Sequence, residues 1–84
     1  MKEAELIEEG FTRIDVPIEE SGDQTDYYYY TLELNPNFVL TSNASDEVNS
    51  GRWQVFEYEV GIIINDIEDI QTLIALFRKW SKKK

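Results

Sequence analysis

The sequence predicts an α+β fold: an antiparallel meander of about five short strands, a C-terminal amphipathic helix packed on one face, and a short N-terminal helix. Three observations carry this expectation. Ile67, Ile70, Leu73, Ile74, Phe77 and Trp80 recur at steps of three and four, the stripe of an amphipathic helix. Between Thr12 and Ile64 the apolar residues instead fall in short runs that alternate with polar ones. Those runs are separated by polar turn sequences with no room for a helical crossover, so neighbouring strands should pair antiparallel. At 84 residues the chain makes one small domain, 1–84, with a single core.

Residues 2–9 read as the first helix. Lys2, Glu3, Ala4, Glu5, Leu6 and Glu8 are good helix formers, with acids favourably placed in the first turns. Gly10 suits the left-handed position after a helix, and Phe11 can pack back on the last turn. Ile14, Val16 and Ile18 then alternate with Arg13, Asp15 and Pro17, a half-buried strand. Pro17 cannot donate to a ladder and places that strand at an edge or ends it. Glu19 to Asp26 reads as a polar loop.

Tyr27 to Leu34 is the strongest strand signal. Leu32 and Leu34 set the inward phase, which turns Tyr28 and Tyr30 inward and Tyr27, Tyr29, Thr31 and Glu33 outward. Asn35-Pro36-Asn37 is a tight-turn sequence that returns Phe38–Thr41 as a hairpin partner, and Ser42 to Gly51 is a second polar loop. Arg52 to Tyr58 is a strand of mixed phase. Phe56 and Tyr58 alternate with Glu57 and Glu59, whereas Trp53 and Val55 sit in the opposite phase, so a bulge or cover on both faces is expected. Gly61 turns the chain into Ile62–Ile64, and Asn65 or Asp66 caps the last helix, expected to run to about Ser81 and to supply most of the core.

Seventeen Asp and Glu face eight Lys and Arg, a net charge of −9, and the mean hydropathy is −0.46. Residues 1–76 hold all 17 acids but only Lys2, Arg13 and Arg52, a net of −14. The basic residues Arg78, Lys79, Lys82, Lys83 and Lys84 crowd the other end, where a helix dipole favours cations. Such a body repels phosphates, so neither direct nucleic-acid binding nor an anionic membrane partner is expected. The absence of a hydrophobic leader predicts a cytoplasmic protein.

The chain has no Cys and no His, which excludes thiol nucleophiles, imidazole bases and zinc sites built on those ligands. Gly10, Gly22, Gly51 and Gly61 are isolated and form no phosphate-binding loop. Asp23 and Asp26 share one loop, and Asp46 and Glu47 another. A carboxylate pair can hold a divalent cation or do acid–base work, but neither pair has a motif around it. No cofactor and no enzymatic activity are expected, and Asn43-Ala44-Ser45 matches a glycosylation acceptor without a secretion signal to give it meaning. The outward pair Tyr27 and Tyr29, with Trp53 on the same face, would make an aromatic surface rimmed by Glu33, Glu57 and Glu59, the composition of a protein interface. The competing reading covers that face with residues 2–9 and makes the same rings core.

The runs SGDQTDYYYYTLEL and SNASDE, the Trp53 strand and NDIEDIQTLI together resemble small proteins encoded by bacteriophages and prophages, over about Gly10 to Leu76. Their function is generally unassigned. The resemblance implies a phage or mobile-element accessory protein acting on a host protein. The expectation is therefore a non-enzymatic protein-binding module with Tyr27, Tyr29, Trp53, Asp23, Asp46 and Glu47 as candidate partner-binding residues. A second copy of the chain is one candidate partner. The alternative is an acidic nucleic-acid mimic that occupies the basic groove of a host enzyme.

Overall fold

A computed structural model describes residues 1–21 and 26–81. Asp23, the Gly22 turn and the Lys82–Lys84 cluster lie outside the described residues. The elements run α1 (Glu3–Glu8), β1 (Thr12–Val16), α2 (Ile18–Ser21), β2 (Tyr27–Asn35), β3 (Phe38–Ser42), a 3-10 turn (Ser45–Glu47), β4 (Val55–Glu57), β5 (Ile62–Ile64) and α3 (Ile67–Ser81). The five strands lie in chain order in one antiparallel sheet, the expected meander. No helix among the described residues is long and apolar enough to cross a membrane.

Local chemistry explains the boundaries. The Lys2 amide donates to Glu5 Oε1 at 2.8 Å, satisfying an otherwise orphan donor at the start of α1. Gly10 ends the helix with φ +98°, and the Phe11 amide donates back to the Leu6 carbonyl at 3.1 Å, which folds the Phe11 ring into the core. Strand β1 stops before Pro17 at the edge of the sheet. Ile18–Ser21 is a short helix, not part of a strand and a loop as the polar composition suggested, and Asp26 Oδ1 accepts the Ile18 amide at 2.7 Å. The Asn49–Arg52 turn carries Ser50 at φ 55° and Gly51 at φ 69°, the positive pair that a tight hairpin turn demands.

The core closes on one side of the sheet. Pairing of Leu32 with Leu40 and of Val55 with Ile64 puts these side chains on an inner face with Tyr28, Tyr30 and Trp53. Leu6 from α1 and Ile70 from α3, both fully buried, meet this face. The last helix is therefore one contributor among several. Leu73, Ile74 and Phe77 are half-buried, and Trp80 keeps 51% of its surface exposed. Phe77 packs on Phe38 at 5.0 Å between ring centroids, beside the β2–β3 turn.

Trp53 corrects an expectation. It is buried on the inner face, with ring centroids 5.9 Å from Tyr28 and 5.4 Å from Tyr30, and not beside Tyr27 and Tyr29. Its amide donates to the Met1 carbonyl at 2.8 Å, and the Met1 ammonium donates to its carbonyl at 3.2 Å. Glu57 follows in the same phase. Its carboxylate is buried because it accepts the Glu59 amide at 2.8 Å and the Val60 amide at 3.0 Å, closing the β4–β5 turn. Neither a bulge nor double cover is needed: Trp53, Val55 and Glu57 point inward and Phe56 and Tyr58 outward. The irregularity in the sheet lies elsewhere, between Glu33 and Asn35.

Candidate functional site

The outer face is the side of the sheet opposite Leu6 and Ile70. Register sets its membership: Ile14 lies across from Tyr29, Val16 from Tyr27, Thr31 from Thr41, Thr41 from Phe56 and Phe56 from Ile63. Neither α1 nor α3 covers it, because Leu6 and Ile70 are built into the cluster around Tyr30, Leu40, Trp53 and Val55. Residues 2–9 thus do not bury Tyr27 and Tyr29. Both rings are half-buried among their cross-strand neighbours. Tyr58 is 71% exposed and Ile63 59%, large apolar surface for a chain of this size.

A concavity of about 540 Å³ opens on this face. It exists because β3 ends at Ser42 while β2 continues down to Tyr27. Where a ladder partner is missing, serine side chains take over. The Tyr30 amide donates to Ser42 Oγ at 2.8 Å and the Tyr28 amide to Ser45 Oγ at 3.0 Å. The chain crosses the gap as the Ser45–Glu47 turn and leaves a hollow between Tyr27 and Tyr29 on one side and Phe56 and Tyr58 on the other. The Phe56 and Tyr58 rings stack at 5.9 Å, 20° from parallel. Glu47 lines the same hollow. Its Oε1 accepts the Ala44 amide at 3.2 Å and its own amide donates to the Ala44 carbonyl at 2.9 Å, which fixes the turn that carries it. Among the described residues no basic side chain lines the hollow.

Among the expected site residues, the structure unites Tyr27, Tyr29 and Glu47. Asp46 is exposed on the same turn but outside the hollow, and Trp53 belongs to the core. Glu33 is an exposed outward residue, whereas Glu57 is not a rim residue at all. Phe56 and Tyr58 line the hollow but were not among the expected residues, although their alternation with Glu57 and Glu59 is plain in the sequence. Only knowledge that Glu57 is buried turns that alternation around.

At the β1 end, the Arg13 guanidinium carbon lies 3.7 Å from the Tyr28 ring centroid and Nε donates to Asp15 Oδ1 at 2.9 Å. The hydrogen bond to Asp15 raises the Arg13 pKa, and burial raises that of Tyr28. Tyr30 is pushed up to about 12, first by burial and then by donating its hydroxyl to Glu3 Oε2 at 2.6 Å. These contacts tie α1 and β1 to β2. Among the described residues no group of three carboxylates is placed to hold a metal ion. Neither a protein-family model, a curated protein nor a solved structure matches the chain.

Proposed function

We propose that this chain is a non-enzymatic protein-binding module whose docking surface is the outer face of its sheet. The observation that supports it best is the open hollow between Tyr27, Tyr29, Phe56 and Tyr58 on a face that neither α1 nor α3 covers. Large aromatic area beside polar groups is the composition of interface anchors, which need few rotamers to be ordered on binding. The resemblance to phage and prophage proteins gives the context, an accessory factor acting on a host protein. A cytoplasmic setting is part of the same proposal.

The test is capture from bacterial lysate with the wild-type chain and with Tyr27→Ala/Tyr29→Ala, each at low and high salt. Docking through the aromatic face predicts a partner that survives high salt with the wild type and is lost with the double variant. A nucleic-acid-processing enzyme captured equally by both proteins, and released by salt, would replace this reading with acidic mimicry of nucleic acid.

A further inference from the structure

The hollow joins two features that recognise one kind of side chain. Its walls are the rings of Tyr27, Tyr29, Phe56 and Tyr58, and its rim holds the Glu47 carboxylate on a turn fixed by reciprocal bonds to Ala44. Aromatic faces carry negative potential and attract cations, and a planar guanidinium also stacks on them. Among the described residues no basic side chain lines the hollow beside Glu47 and the rings, and the net charge of −9 adds a field that draws cations toward it. From this charge complementarity we infer that the hollow is a binding site for an arginine side chain presented by a partner protein, with the guanidinium over the tyrosine rings and its N–H groups toward Glu47. This rests on the outer face being the docking surface, and it adds what the partner must carry. A second copy of the same acidic chain fits poorly, because two such faces would oppose each other with like charge.

The experiment is a titration of the full chain, followed through its backbone amide resonances, with three probes: N-acetyl-arginine methylamide, its citrulline analogue and its norleucine analogue. Citrulline keeps the shape of arginine without the charge. The expected result is saturable shifts at Tyr27, Tyr29, Glu47, Phe56 and Tyr58 with arginine, weakened about fivefold or more with citrulline. Glu47→Gln, which keeps an acceptor for the Ala44 amide, should weaken arginine alone. Equal binding of all three probes at this face would overturn the arginine assignment while leaving the docking surface in place. Arginine shifts scattered over other acidic residues and unchanged in Glu47→Gln would also overturn it. Resonances already protected by self-association would assign the face to a second copy and overturn it too. Failure of every probe to move outer-face resonances would overturn the arginine assignment, while the lysate capture tests the docking surface separately.

Discussion

Replacing Trp53 with alanine removes the largest side chain of the inner face. The indole is 4% exposed and holds two aromatic partners, Tyr28 at 5.9 Å and Tyr30 at 5.4 Å. Truncation of a buried aromatic costs about 3–5 kcal/mol, because the apolar area is lost and the cavity refills only in part. A domain of 84 residues has roughly 4–13 kcal/mol to lose. Trp53→Ala should therefore remove a large share of the stability and lower the melting temperature by roughly 12–40 °C, at about 4–8 °C per kcal/mol for this size. Urea and thermal unfolding followed by far-ultraviolet circular dichroism measure it without relying on indole fluorescence. The backbone bonds between Trp53 and Met1 survive the substitution, so the loss reports on the ring. A shift of only a few degrees would mean that Trp53 stands on the outer face with Tyr27 and Tyr29, and the one-sided core would be refuted.

Ile70→Ala should cost about 2–5 kcal/mol in the same assay, because the side chain is fully buried, whereas Trp80→Ala at the exposed end of α3 should stay within about 1 kcal/mol. Equal losses would show that α3 presents a different face. Stability should fall as pH rises from about 10 to about 12. Tyr30 holds its proton more tightly when folded, so in that window the unfolded chain binds fewer protons and is favoured. Urea unfolding of Tyr30→Phe across the same range should show a shallower fall, and an unchanged slope would contradict the assignment. EDTA should leave the melting temperature unchanged, and a fall of several degrees would reveal a bound cation.

Much of the fold was legible because it depends on local patterns. Leu32 and Leu34 set the phase of β2, the stripe from Ile67 to Phe77 set α3, and Gly10 and Asn35-Pro36-Asn37 marked turns. Strand β4 misled because a charged residue in an alternating run is ordinarily the solvent side. Glu57 is inside because two amides of the next turn bond it, a tertiary circumstance with no local signature. That single inversion moved Trp53 to the wrong face and hid Phe56 and Tyr58 from the candidate site. The helical turn at Ile18–Ser21 was hidden for a similar reason, since its first amide is bonded by Asp26, eight residues away. The hollow itself was invisible in sequence, because it arises from where β3 ends relative to β2.

The central claim is that the core closes on one side of the sheet and leaves the other uncovered by α1 and α3. Unfolding free energies of two double variants test it most directly: Tyr27→Ala/Tyr29→Ala against Tyr28→Ala/Tyr30→Ala. The outward pair is half-buried and loses chiefly the cross-strand pairing with Val16 and Ile14, so roughly 1–2 kcal/mol is expected. The inward pair loses the rings packed on Trp53 and should cost at least twice as much, or prevent folding. An outward pair that destabilises the protein as much as the inward pair would contradict the account.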